Sequence, residues 1–254
     1  MSLIIACCQR KVLDSKRSTF ESYSRAIRNV ASLGAELIIL PECFHTPYHT
    51  ESFPNWSEPL DGETALFLQN QAQKFNVHIV GGTFIERDDD QLYNTTLVYS
   101  NHGELIAKYR KMHLFDIDIP GKIQFFESSV LSPGESLAMF DLKGFKIGLG
   151  ICFDLRFPSF SQKYRDLGAN VLLFPGSFNM TTGPLHWELL LRARAVDNGI
   201  YVVGASPARD ENSSYISWSH SMVVNPFGNV LHQLEGKGRR YCGNNITSRD
   251  SENS

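Results

Sequence analysis

The sequence predicts an α/β fold, on the strength of one pattern that occurs twice and of the character of its strands. Residues 3–8 and 36–40 are short apolar runs on either side of residues 18–33, where Phe20, Tyr23, Ile27, Val30 and Leu33 recur at helical spacing until Gly34 ends the helix. Beyond residue 146 the alternation returns, with apolar runs at 147–151, 169–175 and 201–206 and helical stretches between them. The run Leu37-Ile-Ile-Leu40 is apolar at every position, as expected of a strand covered on both faces.

A chain of 254 residues can bury an ample core as a single domain. Hydrophobic residues make up 42% and charged residues 20%, a balance too apolar for a disordered chain. The net charge of −3 and the scattered Lys and Arg, densest at 108–111 and 238–240, leave no basic stripe for a nucleic acid. No apolar run reaches membrane-spanning length, and residues 1–11, MSLIIACCQRK, read as a strand and not as a signal peptide. The five cysteines, Cys7, Cys8, Cys43, Cys152 and Cys242, have neither CxxC spacing nor a companion histidine cluster, which argues against a disulfide framework and a zinc site alike. A reducing cytosol fits them best; a mitochondrial address stays open, although no transit peptide is evident.

After the first strand-helix-strand unit, residues 51–61 read as an irregular loop, 64–75 as a helix through Leu68, Ala72 and Phe75, and 77–84 as a strand in which Gly81-Gly82 marks a bulge or a close backbone approach. Residues 93–100 and 104–109 flank Asn101-His-Gly103 as a hairpin that leads to Lys111. Residues 113–133 show little periodicity but carry acids, glycines and aromatics, and a long loop of that kind in a compact domain is usually functional. Later, 184–198 reads as a helix with Leu185, Leu189, Ala193 and Val196 on one face, and 217–225 with 229–233 as a hairpin over Pro226-Phe-Gly228.

The stretch 146–168, KIGLGICFDLRFPSFSQKYRDLG, carries the first candidate for chemistry. An apolar strand ends at Cys152, Pro158 suits a first helical turn and Gly168 a helix end, so the cysteine stands at a strand-to-helix turn. Backbone N–H groups there favour a thiolate; a buried core cysteine is the plain alternative. Two more apolar strands run into Glu42 and Lys111, and ligands gather at the carboxyl ends of strands in such sheets. Taken singly, Glu42 can begin a surface loop and Lys111 can belong to a solvated Lys-Tyr-Arg-Lys face. Together with Cys152 they form a complete set for acyl transfer. The glutamate takes the thiol proton and hands it to a leaving amine, while the lysine and the backbone N–H of Phe153 hold the oxyanion.

These residues stand in LPECF (40–44), YRKMHLF (109–115) and GICFDLRFP (150–158), and in that order they make the chain resemble the nitrilase superfamily of carbon–nitrogen hydrolases from residue 3 to about residue 232. The resemblance implies a four-layer α-β-β-α sandwich, a Glu42-Lys111-Cys152 triad, a second glutamate at Glu127 in FFESS, a homodimer, and no metal or organic cofactor. Four further stretches, FDIDIPGKI (115–123), TTGPLHWE (181–188), RARAVDN (192–198) and SPARD (206–210), are similar to the omega-amidase branch, which hydrolyses the terminal amide of alpha-ketoglutaramate and alpha-ketosuccinamate. The neighbouring deaminated-glutathione amidases share the triad but tend to differ in the loop after Asp116. The implied substrate is a small-molecule amide that carries a carboxylate. Arg156 resembles the position that related carbamoyl amidases use for such a group, its plain alternative being an ion pair with Asp154 or a loop acid.

Two rivals come from other classes. Cys152 can be paired with His113, His186 or His220 in a thiol-protease-like site, which leaves Lys111 unused, or the fold can serve as a non-catalytic binding scaffold. The expected division is a catalytic domain at 1–234 and a divergent tail at 235–254. The tail shows no alternation, no helical period and no apolar cluster, so it is expected to be disordered, to form no strand, and to leave a sheet edge open to weak dimerisation or aggregation.

Overall fold

The computed structural model describes residues 1–121, 123–236 and 241–247, with the backbone alone for 241–244. Strand β1 (Ser2–Cys8), helix α1 (Lys16–Ser32) and strand β2 (Leu37–Ile39) make the first βαβ unit. The Ser15 side chain caps α1 by accepting from the Ser18 N–H, and Phe20, Tyr23, Ile27 and Val30 turn inward. Leu33, expected on that face, lies past the helix end and is exposed. The segment read as an irregular loop contains a 3-10 turn at Thr50–Ser52 and a short helix, α2 (Phe53–Trp56), with Pro54 in its first turn. Helix α3 (Glu63–Phe75) follows.

The run expected as one strand over 77–84 is two, β3 (His78–Val80) and β4 (Phe84–Asp88), broken at Gly81-Gly82. Both pair with the same edge of β5 (Gln91–Tyr99), β3 against Val98 and Tyr99, β4 against residues 91–95, and β6 (Leu105–Arg110) lies on the other edge. The stretch expected as a loop holds a hairpin, β7 (Asp116–Ile119) and β8 (Ile123–Phe126), whose half-buried and exposed positions alternate. The second half consists of β9 (Met139–Leu142), β10 (Phe145–Leu149), a 3-10 turn at Cys152–Arg156, α4 (Pro158–Asp166), β11 (Val171–Pro175), α5 (Gly183–Asn198), β12 (Tyr201–Ala205), β13 (Met222–Val224), β14 (Val230–Gln233) and β15 (Tyr241–Thr247).

Two sheets result. One runs β15-β1-β2-β3-β5 with β4 and β6 attached to β5; the other runs β14-β13-β12-β11-β10-β9. Period-two alternation splits β1, β2, β3 and β5 of the first sheet between two cores. Leu3, Ile5, Cys7, Leu37 and Ile39 meet Ile147, Leu149, Val171 and Val203 of the second sheet, while Ala6, Ile38, Leu40 and Ile79 meet α1 and α3. Helices α4 and α5 cover the far side of the second sheet through Phe160, Tyr164, Trp187 and Leu191. The order is α-β-β-α, which explains strands that are apolar at every position.

Two expectations are corrected here. Helix α5 buries Trp187, Leu191 and Ala195, whereas Leu185, Leu189 and Val196 face outward and are exposed. The helical period was right, but two apolar stripes compete on this helix and the bulkier tryptophan takes the sheet. Residues 241–247 form a strand antiparallel to β1, with Leu3 opposite Ile246, so β1 is no open edge. Ile246 is fully buried in the core between the sheets. Main-chain pairing to a complete apolar neighbour holds a segment whose own side-chain pattern is too weak to announce a strand. The rest of the expected tail, 237–240 and 248–254, lies outside the described residues.

Candidate active site

Each residue of the expected set stands just past the carboxyl end of a strand. β2 stops at Ile39 and Glu42 follows in a turn; β6 stops at Arg110 and Lys111 is next; β10 stops at Leu149 and Cys152 opens the 3-10 turn. The Glu42 turn is tight. Gly82 takes φ +59, and a Cβ there would come within 2.2 Å of the Pro41 carbonyl oxygen. Cys43 itself takes φ +48 and donates its N–H to Thr83 Oγ1 at 2.8 Å. Strand alternation therefore does not govern Cys43; a left-handed turn carries its thiol against Thr83.

Glu42, Lys111 and Glu127 meet in a cluster with no exposure at all. Lys111 Nζ lies 2.9 Å from Glu42 Oε1 and 2.8 Å from Glu127 Oε2. Glu127, delivered by the β7–β8 hairpin, accepts the Phe115 N–H at 2.7 Å and the Tyr48 hydroxyl at 2.8 Å. Asn94 on β5 donates to Glu42 Oε1 at 2.9 Å. Burial alone would lower the Lys111 pKa, but the charges of Glu127 and Glu42 hold it well above the usual lysine value. Burial raises the Glu42 pKa, the Lys111 charge pulls against that rise, and Glu127 adds to it, leaving Glu42 above the ordinary carboxylate value.

Cys152 sits at φ +46, buried, with its thiol close enough to Glu42 to feel that carboxylate's charge. Burial and the Glu42 charge push the thiol well above the usual cysteine value, and Lys111 only partly offsets them. This corrects the expectation of a favoured thiolate: the side chain is buried, and the dipoles of a five-residue 3-10 turn do not outweigh desolvation. Burial and the Glu42 charge both favour the protonated thiol beside the Glu42 carboxyl group. The Phe153 N–H lies in the first turn of the 3-10 segment, where no carbonyl of that turn can accept it.

Arg156 lines a crevice over Cys152 with Phe115, Phe153, Phe178 and Tyr215. Among the described residues it forms no ion pair: its Nη2 donates to His186 Nδ1 at 3.0 Å, and Asp154 is occupied by Tyr109, His113 and Ile151. Burial lowers its pKa. Tyr215 and Ser177, which line that crevice, also line a cavity of about 300 Å³ together with Glu42 and Tyr48. None of the three rival histidines reaches the thiol among the described residues. His113 bonds Asp154, His186 bonds Arg156, and His220 donates to the Trp218 carbonyl. Sequence reasoning missed Tyr48, Asn94 and Tyr215. Asn94, in a Tyr-Asn-Thr-Thr run inside an otherwise apolar strand, was the one with a visible signal, since a buried amide needs a partner.

The model of the carbon-nitrogen hydrolase family matches residues 4–246. The chain is 48% identical over 230 residues to the omega-amidase NIT2 of Homo sapiens, covering 91% of this chain and 83% of that protein. It is 50% identical over 207 residues to the omega-amidase NIT2-A of Xenopus laevis, covering 82% and 75%. The crystal structure of Saccharomyces cerevisiae Nit3, a member of branch 10 of the nitrilase superfamily, superimposes with a TM-score of 0.91 at 36% identity, covering 99% of this chain and 92% of that one. A buried glutamate-lysine-glutamate cluster beside a cysteine turn, on a nitrilase-like sandwich, thus stands in a chain that belongs to the carbon–nitrogen hydrolase family, whose members hydrolyse carbon–nitrogen bonds other than peptide bonds.

Proposed function

We propose that the protein is an omega-amidase that hydrolyses the terminal amide of a short keto acid, alpha-ketoglutaramate or alpha-ketosuccinamate, to the keto diacid and ammonia through a thioester on Cys152. The observation that carries the reading is the fully buried Lys111 held between Glu42 and Glu127 beside the Cys152 thiol. Glu42 takes the thiol proton as the sulfur attacks the amide carbon, and the oxyanion forms against the Lys111 ammonium and the Phe153 N–H. Collapse of the tetrahedral adduct passes the proton from Glu42 to the departing nitrogen and releases ammonia. Glu42 then draws a proton from water, the hydroxide carbon–oxygen bond forms, the carbon–sulfur bond breaks, and the thiol recovers its proton. Glu127 keeps Lys111 charged and in place.

Arg156 binds the substrate carboxylate, a role supported by its lack of a carboxylate partner among the described residues and its place in the crevice over Cys152. The likeness to proteins described as omega-amidases supports the substrate class. The exposed apolar face of α5 supports a homodimer. The buried free thiols Cys43 and Cys152 support a reducing compartment, the cytosol first. Among the described residues, no helix is long and apolar enough to cross a membrane.

The test is ammonia release from a panel of amides, nitriles and carbamoyl compounds, with intact-mass detection of an acyl adduct on Cys152. Keto acid amides are expected to lead, with nitriles inert. Lys111→Met and Glu42→Gln are each expected to lower kcat by about 10²–10⁴. Comparable kcat/KM for deaminated glutathione would move the chain to that neighbouring activity.

A further inference from the structure

We propose that Asn94 is a positioning residue of the acyl-transfer site: it fixes which oxygen of Glu42 is presented to Cys152 and ties the Lys111 backbone to the same strand. The inference rests on the reading of Glu42 as the base. Asn94 lies within β5, flanked on one side by Ile85 of β4 and followed by Thr95, which pairs with Arg110 of β6. It is 1% exposed. Its Nδ2 donates to Glu42 Oε1 at 2.9 Å, and its carbonyl oxygen accepts the Lys111 N–H at 2.9 Å. One residue of a central strand thus holds two charged members of the site, Glu42 and Lys111, each through a different group.

The division of labour on the Glu42 carboxylate gives the bond its consequence. Oε1 receives both Asn94 Nδ2 and Lys111 Nζ, whereas Oε2 has no hydrogen-bond partner among the described residues. The last torsion of a glutamate is broad, so a carboxylate held by one flexible lysine alone could present either oxygen in many planes. A second donor, fixed by a strand backbone, removes that freedom and leaves Oε2 for the thiol proton. The Asn94 Oδ1 accepts no hydrogen bond, so Glu42 is the side chain's sole partner among the described residues. A buried amide left half satisfied is costly, and here its satisfied half is spent on the base.

The bond also sets a sign. A donor to the ionised carboxylate favours that form, so removing it raises the pH at which Glu42 becomes a base. The experiment measures kcat/KM for ammonia release as a function of pH in Asn94→Ala and Asn94→Asp, with thermal midpoints beside it. In Asn94→Ala the acid limb should move up by about one pH unit, with kcat lower by about tenfold or more. Asn94→Asp keeps the size of the side chain and should move the limb further, because two carboxyl groups in contact do not both ionise. An asparagine with a structural role alone would lower the midpoint and leave the limb where it is. If the alanine variant fails to fold, the isosteric aspartate variant decides, and an acid limb at the wild-type position in either folded variant overturns the proposal. Full activity in Glu42→Gln is a separate result: it would overturn the base assignment itself.

Discussion

The Cys152 side chain has to lose a proton that its surroundings hold tightly. Burial and the neighbouring Glu42 charge both act against the thiolate, so in the proposed mechanism nucleophilicity depends on transfer to Glu42 during attack and not on a standing ion pair. Alkylation of Cys152 by iodoacetamide should therefore show an inflection above the ordinary cysteine value of about 8.5. Because Glu42 is one cause of the rise, Glu42→Gln should move that inflection down. An inflection below neutrality in the wild type would mean a resting thiolate and would sink the account. Cys43→Ala should keep most activity, since that thiol is turned against Thr83 Oγ1. The motif contexts made Glu42, Lys111 and Cys152 legible as residues. Their protonation was not legible, because the depth of burial depends on what two sheets place over the site.

At the scale of the elements, one carboxylate clamps the segment carrying Lys111 to the turn carrying Cys152. Asp154 accepts the Tyr109 hydroxyl at 2.7 Å, the His113 N–H at 2.9 Å and the Ile151 N–H at 2.8 Å. Tyr109 and His113 flank Lys111 by two residues on either side, and Ile151 precedes Cys152. An amide in place of this carboxylate would turn donors toward donors, so Asp154→Asn should lower unfolding free energy by about 3 kcal/mol in a urea titration. An unchanged midpoint would show the clamp to be dispensable. The β7–β8 hairpin, which brings Glu127 to the same place, escaped the sequence reading although Asp116-Ile-Asp-Ile119 alternates, because four residues are a weak periodic signal. The last strand escaped for a similar reason. Its contribution is testable at one position: Ile246→Ala should cost about 2–5 kcal/mol of stability if β15 belongs to the folded unit. A thermal midpoint equal to that of the wild type would remove it from that unit.

For the whole molecule, the outward face of α5 is the feature that folding of one chain leaves unexplained. Leu185, Leu189 and Val196 are exposed, and Phe227, on the turn that meets α5 where the Arg192 side chain donates to the Gly228 carbonyl, is exposed beside them. Exposed apolar side chains grouped in this way mark an association surface. The homodimer proposed above is expected to use it. Sedimentation at micromolar concentration should give a dimer, and the double variant Leu189→Glu, Val196→Glu should give a folded monomer. A wild-type monomer, or a double variant that still dimerises, would place the interface elsewhere or remove it.

What the sequence by itself determined about this protein is local: which stretches are strands covered on both faces, where helices start and stop, and which three residue types end those strands within recognisable motifs. Those features depend on side-chain periodicity and backbone preference, and neighbours in the chain suffice to express them. Tertiary structure alone decided the rest. It chose which of two apolar stripes on α5 is buried, paired a weakly patterned segment with β1, made Asn94 and Tyr48 part of the site, and kept the thiol neutral. Each of these depends on groups far apart in sequence, such as Asn94 and Glu42, 52 residues apart. Burial and hydrogen bonding there are properties of the packed sheets, which no window of the chain contains.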